Sequence, residues 1–201
     1  MNVLDFSKDN LLPYDGELFL FKSFYSQAIA DQHFLSLTQS IDWQHEQIYL
    51  YGRWIQVPRL MAWYGDPEAV YQYSRVVHHP KAWQPCLQSI REDLESVSGF
   101  RFNSVLANLY RDGRDSMGCH ADNEKELGLN PCLASLSFGD SRILRFKHQF
   151  KAERLDVVLE NGDLLWMSGR IQQNWFHELP KTKKIKQARI NLTFRHIYPD
   201  A

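Results

Sequence analysis

Residues 26–41 place Ala30, Phe34, Leu37 and Ile41 at helical spacing, with Ser26 able to cap the stripe. That spacing predicts a helix over 26–41. A second apolar stripe, Leu87, Ile90, Leu94 and Val97, predicts a helix over 83–98. Pro85 suits its first turn and Gly99 its C-cap. Between them "YLYGRWIQVPRLMAWYGDPEAVYQYSR" is aromatic, arginine-bearing and broken by Gly and Pro, which predicts short strands and loops. After Gly99 the period drops to two. "FNSVLANLYR", "CLASLSFG", "SRILRFKH", "RLDVVLENGDLLWMS", "WFHELP" and "ARINLTFRHI" read as short strands, separated by turn signals such as Asn161-Gly162. The pattern predicts a mainly β (α+β) fold, closed or two-sheeted, with helices packed outside and at most a subdomain boundary near residue 100.

In a strand, residues two apart share a face. Asn108 and Tyr110 form one such pair, and His120 and Asp122 another, with Cys119 and Ala121 turned away. "ARINLTFRHI" alternates without a break: Arg189, Asn191, Thr193 and Arg195 on one side, Ile190, Leu192 and Phe194 on the other. Two readings fit this strand. The polar row faces water on a half-buried antiparallel sheet, or it lines a closed interior that holds an anion. In the second case the two arginines stand about 20 Å apart along the strand and grip opposite ends of a small dicarboxylate.

His120 and Asp122 offer one nitrogen and one oxygen on the same side. With a distant histidine they make a facial triad of two imidazoles and a carboxylate, the ligand set of non-haem Fe(II) oxygenases. His148, His177 and His196 are the candidates for the third ligand. His177 sits on a predicted strand shortly before the arginine strand and is chosen; His196 adjoins Arg195 and so faces the other way. Zinc accepts the same donors. The arginine pair favours iron with a dicarboxylate co-substrate.

Composition adds less. At 201 residues, with 44% hydrophobic and 23% charged residues, the chain is long enough for a sizeable core. The net charge of −1 hides a split: residues 141–195 hold twelve Lys/Arg against five Asp/Glu, and residues 1–140 hold eleven against eighteen. A basic C-terminal third suits phosphates as well as a solvated face. The run "KTKKIK" (181–186), Arg53 and Arg59 are candidates to track a phosphate backbone, while Asp115 and Glu126 read as solvated loop acids. No apolar run spans a bilayer, no basic leader precedes an apolar stretch, and three cysteines form no CxxC. The expectation is a cytoplasmic protein with access to the nucleoid, not secreted.

"NLYRDGRDSMGCHADNE", "SLSFGDSRILRF", "GDLLWMSGRIQQNWFHELP" and "RINLTFR" resemble the AlkB family of Fe(II)/2-oxoglutarate-dependent dioxygenases over residues 52–197, nearest its DNA-repair members. The resemblance implies a single dioxygenase domain: a double-stranded β-helix, or jelly roll, over 100–201 and a nucleotide-recognition lid with helices over about 20–99. It implies Fe(II) on His120, Asp122 and His177. It implies 2-oxoglutarate on Asn108, Tyr110, Arg189 and Arg195, with Asn191 nearby and the assignment of the two arginines to the two carboxylates left open. Tyr73 would stack on a flipped base against His120, Glu124 would meet its exocyclic amine, and Ser74 and Arg59 would lie alongside. Leu50 and Tyr51 fall where duplex-active members carry an intercalating finger.

The activity so implied is oxidative demethylation of 1-methyladenine and 3-methylcytosine in DNA by a monomer that also consumes O₂. Such bases are cationic and pair poorly, so they flip cheaply and gain cation–π attraction to an aromatic face. Competing readings are an RNA, tRNA or protein demethylase of the same chemistry, a zinc-dependent hydrolase, and a non-catalytic binding module.

Overall fold

The computed structural model describes residues 3–7, 9–50, 52–73 and 76–198. Its elements run β1 (Glu17–Phe21), α1 (Gln27–Ser40), β2 (Gln44–Leu50), β3 (Arg53–Gly65), β4 (Tyr71–Tyr73), β5 (Val76–His78), α2 (Pro85–Ser98), β6 (Ser104–Tyr110), β7 (Met117–His120), β8 (Leu133–Gly139), β9 (Arg142–His148), β10 (Arg154–Leu159), β11 (Leu164–Ser168), α3 (Ile171–Asn174), β12 (Trp175–Leu179) and β13 (Arg189–Arg195). Seven strands form one sheet in the order β1-β11-β8-β13-β6-β3-β2, and four form a second in the order β10-β9-β12-β7. Pairing within both is antiparallel. This is the mainly β, two-sheet architecture that the alternating pattern predicts and the jelly roll that the resemblance implies.

Both long helices form as their stripes require. Leu87, Ile90, Leu94 and Val97 of α2 are all buried, and Gly99 closes the helix at φ 73°, a conformation that costs glycine little. In α1 Ala30 and Leu37 are buried, and Ser26 stands at the N-cap without a side-chain cap bond. The two helices cover one face of the large sheet. Ile190, Leu192 and Phe194 of β13 join Ala107, Leu136 and Trp166 against them in one core cluster. The other face of the large sheet packs on the small sheet through Leu133, Leu165 and Met167 on one side and Leu144, Phe146 and Leu159 on the other. Each of these large side chains contributes about 1.5–3 kcal/mol by burial.

One expectation is corrected. Residues 44–65 are not short strands and loops; they form a hairpin whose second strand, β3, runs for 13 residues. Gly52, at φ 78°, turns the hairpin, and Pro58 lies inside β3 where the β2–β3 register shifts between His45 and Gln47. A strand tolerates proline at such an irregularity because no ladder N–H is needed there. The large sheet continues across the change of texture near residue 100, since β3 pairs with β6 along Leu60–Gly65. Asn161-Gly162 is a turn as predicted, but it passes the chain from the small sheet (β10) to the large one (β11). Gly162 lies at φ 84°, with the Tyr25 carbonyl where a Cβ would stand. No helix among the described residues is long and apolar enough to cross a membrane.

Candidate active site

The small sheet places the two imidazoles. β12 pairs with β7 so that His177 stands directly opposite His120, and the ring centroids are 4.3 Å apart. β7 ends at His120, so Asp122 lies just beyond the strand and not on it as the two-residue spacing suggested. Its backbone N–H donates to Gln172 Oε1 at 2.9 Å, which ties this segment to α3. The Asp122 carboxylate lies 4.0 Å from His120 Nε2 and 3.8 Å from His177 Nε2, and one donor atom from each of the three residues falls within 4.8 Å of the others. His120 Nδ1 meets the Gly118 carbonyl at 2.9 Å; a carbonyl only accepts, so Nδ1 is the donor there and Nε2 is the nitrogen turned to Asp122.

Electrostatics hold His177 and Asp122 in ligand form. Burial, then the adjacent His120, push the His177 pKa down from 6.5 to about 3, so the imidazole is neutral near pH 7. Burial by itself would push the Asp122 carboxyl up. Arg195 and the two imidazoles outweigh it, and the group stays below the usual carboxylate range. Arg195 Nη2 donates to Asp122 Oδ1 at 2.8 Å, with the two side chains 3% and 5% exposed.

The polar row of β13 faces inward. Arg189, Asn191, Thr193 and Arg195 are all buried, the first and last at 2% and 3% exposure, so the solvent-facing reading is overturned. The strand is covered on both sides: helices pack on its apolar side, and the small sheet closes over its polar side. Arg189 Nη2 donates to Ser137 Oγ at 2.8 Å, and its Cζ lies 5.4 Å from the Tyr110 ring centroid. No ion pair involves Arg189 among the described residues, and its Nε is buried without a partner there. Burial pushes its pKa down to about 10, which leaves it charged. A buried, uncompensated guanidinium is costly, so this end of the interior is built for an anion. Asn108 Nδ2 is likewise buried and unpartnered among the described residues. The site thus has nitrogen and oxygen donors for a metal that prefers them and spare donors for carboxylate oxygens, and the residues fit Fe(II) with 2-oxoglutarate.

Two cavities meet at the triad. The inner one is lined by Tyr110, His177, Arg189, Asn191 and Thr193. The outer one is lined by Glu46, Arg59, Met61, Trp63 and Leu106. Met117, His120, Asp122 and Arg195 belong to both.

Other expected residues fall elsewhere. His148 is buried but engaged: its Nε2 faces Asp15 Oδ2 at 3.3 Å and its Nδ1 accepts from Phe150 N. His196 Nδ1 reaches the Arg101 carbonyl. Arg59 is 5% exposed and donates to Asn108, so it lies at the cavity and not on the surface where a phosphate contact was expected. Asp115 is no solvated acid; it is buried and takes three bonds from Arg111, because the Arg-Asp-Gly turn folds back on itself. Glu124 is half-buried at the head of a short 3₁₀ turn two residues past Asp122. Tyr73 lies on β4 and Leu50 ends β2, while Tyr51 and Ser74 lie outside the described residues. Sequence reasoning missed Glu46, Gln172, Ser135 and Ser137. The serines alternate in "LASLSFG" and carried a period-two signal; Gln172 and Glu46 carried none.

Residues 17–195 match the model of the 2OG-Fe(II) oxygenase superfamily. The chain is 38% identical over 186 residues to the bovine (Bos taurus) "DNA oxidative demethylase ALKBH2", covering 87% of this chain and 67% of that protein. It is 37% identical over 191 residues to the human "Alpha-ketoglutarate-dependent dioxygenase alkB homolog 3", covering 90% and 66%. The chain thus spans about two thirds of the length of these curated relatives. A solved structure described as "The structure of OsALKBH1" shares the fold, with a TM-score of 0.59 at 21% identity over 89% of this chain and 96% of that one. The His-Asp-His cluster, the inward arginine row and these matches together show that the chain belongs to the AlkB family of the 2OG-Fe(II) oxygenase superfamily, whose chemistry runs on Fe(II), 2-oxoglutarate and O₂.

Proposed function

We propose that the protein removes N-methyl groups from 1-methyladenine and 3-methylcytosine in DNA, as a monomer working in the cytoplasm on nucleic acid. The observation that carries this reading is the buried Arg189, charged and without an ion pair among the described residues, facing the same interior as His120, Asp122 and His177. Relatives whose printed names describe DNA oxidative demethylases support the substrate class.

In this reading His120, Asp122 and His177 hold the iron. Arg189 takes the far carboxylate of 2-oxoglutarate, because Arg195 is already paired with Asp122 at the metal end. Asn108 and Tyr110 complete the co-substrate contacts, and Asn191 shapes the wall. When bound, iron and 2-oxoglutarate supply the oxidising power that, with O₂, hydroxylates the methyl carbon and leaves succinate and CO₂. The hydroxymethyl adduct then breaks its C–N bond, giving formaldehyde and the unmodified base. The protein's own part is to seat the base in the outer cavity against His120, with Glu124 at its exocyclic amine, and to keep water out with Met61, Trp63 and Met117.

The surface suits a nucleic acid. Tyr49 and Trp54, 38% and 56% exposed with rings 5.5 Å apart, stand on the β2–β3 hairpin beside the expected finger. Lys181, Lys183 and Lys184 are exposed after β12, while Lys186 is tied to Asp140 and Ser141.

The test is aerobic incubation of a 1-methyladenine oligonucleotide with Fe(II), 2-oxoglutarate and ascorbate. Equimolar formaldehyde and repaired base are expected. Succinate release with the methyl group untouched in DNA, but lost from RNA or a protein, would displace DNA repair; turnover with zinc and no 2-oxoglutarate would displace the oxygenase reading.

A further inference from the structure

One hydrogen bond joins the wall of the outer cavity to the interior of the large sheet. Arg59 Nε donates to Asn108 Oδ1 at 2.7 Å, and the two residues are 5% and 1% exposed. Arg59 arrives there through the irregularity at Pro58. Gln47 pairs with Gln56 and His45 with Leu60, so Glu46 stands opposite three residues, Val57, Pro58 and Arg59. The Pro58 carbonyl accepts from the Ser116 N–H at 3.0 Å, and Arg59 Nη1 reaches the Ser116 carbonyl at 3.5 Å.

A guanidinium has five N–H donors and no acceptor. The bond therefore fixes which way the Asn108 amide lies, because turning it over would set an NH₂ group against an N–H. Its nitrogen must point away from Arg59, and that nitrogen is buried with no partner among the described residues. A buried donor without an acceptor is costly and marks a place where an acceptor belongs. Register puts Asn108 opposite Asn191 and two residues before Tyr110, on the face that looks toward the triad. Both hydrogens of the Asn191 amide are already used, on Ser135 Oγ and the Leu136 carbonyl. Asn108 is thus the amide with a donor to spare.

We infer that Arg59 is a positioning residue: it holds the Asn108 amide so that Nδ2 donates to a carboxylate oxygen of 2-oxoglutarate. Because Arg59 also lines the outer cavity, it links the wall of the base site to the co-substrate site. The inference rests on the assignment of Asn108 to 2-oxoglutarate, and it is tested by binding, which needs no nucleic acid.

The experiment is calorimetric titration of 2-oxoglutarate into the Mn(II)-loaded protein. Arg59→Met keeps length and bulk but removes the donors; its Kd is expected to rise about tenfold, with Arg59→Lys recovering part of the loss. Asn108→Asp keeps the acceptor for Arg59 and replaces the inward NH₂ by oxygen. It is expected to fold with an unchanged or raised Tm and to bind 2-oxoglutarate at least about tenfold more weakly. In an Asn108→Ala background, Arg59→Met is expected to add nothing. Wild-type affinity in Arg59→Met, or an undiminished loss in the Asn108→Ala background, overturns the inference. Should Arg59→Met not fold, wild-type affinity in Asn108→Asp does so. A wild-type protein that binds 2-oxoglutarate normally but demethylates no DNA would sink the proposed function and leave this inference standing.

Discussion

At the scale of the residue, the site depends on keeping its ligands deprotonated inside the protein. His177 titrates near 6.5 in an unfolded chain and at about 3 in the folded one. Between those values the unfolded state binds the extra proton, so acid favours unfolding. The metal-free protein is therefore expected to lose Tm as pH falls from about 6.5 toward about 3, with Asp122, also depressed, acting in the same direction. In His177→Gln that slope should flatten, and a profile matching the wild type would refute the assignment. Asp122→Asn should abolish iron binding and turnover while circular dichroism still reports a folded chain; retained iron affinity would contradict its role as a ligand. Arg189 makes an opposite kind of prediction. Arg189→Met removes a buried charge that has no ion-pair partner among the described residues, so the ligand-free Tm should hold or rise. At about 100 times its Kd, 2-oxoglutarate should stabilise the wild type by about 2.7 kcal/mol and leave the variant unmoved in a thermal-shift measurement.

At the scale of the element, the period of two in "RINLTFR" and the pairing of β12 with β7 carry the site. Alternation alone put Arg189, Asn191, Thr193 and Arg195 on one face, and it was correct. It could not say which face is covered, because the apolar side is equally well formed; the small sheet decides that. His120 and Asp122 were legible as neighbours, and His177 as their partner, yet the opposition of His120 and His177 is a matter of register between strands more than fifty residues apart. Glu46 was not legible as a cavity residue at all, and Arg59 was set beside the base only by the resemblance, not by any local spacing. A proline inside a strand looks like a break in a linear reading, whereas here it marks the irregularity that sets both residues at the cavity. The turn between the sheets offers a separate test. Gly162→Val meets both a positive φ and the Tyr25 carbonyl, and should cost about 2 kcal/mol or more in chemical denaturation; a loss below about 0.5 kcal/mol would show that the turn relaxes freely.

At the scale of the whole molecule, the near-neutral net charge conceals a basic C-terminal third, and the lysine loop after β12 presents part of it to solvent. Replacing Lys181, Lys183 and Lys184 together by alanine should weaken binding to an oligonucleotide and reduce the slope of log affinity against log salt by about 2–3. Turnover of a methylated trinucleotide at saturation should change little. An unaltered salt slope would place the phosphate contacts elsewhere.

The linear order of residues was enough for both long helices, for the mainly β character, for the triad candidates and for the composition of the arginine row, because each follows from local spacing along one segment. What only the tertiary structure decided is which side of each strand is closed off from water, which histidine stands against which, and where Arg59 and Glu46 end up. Those outcomes depend on strand pairing and sheet stacking between segments far apart in the chain, and the dielectric around a side chain, which turns a polar row into an anion site, exists only once the second sheet has closed over the first.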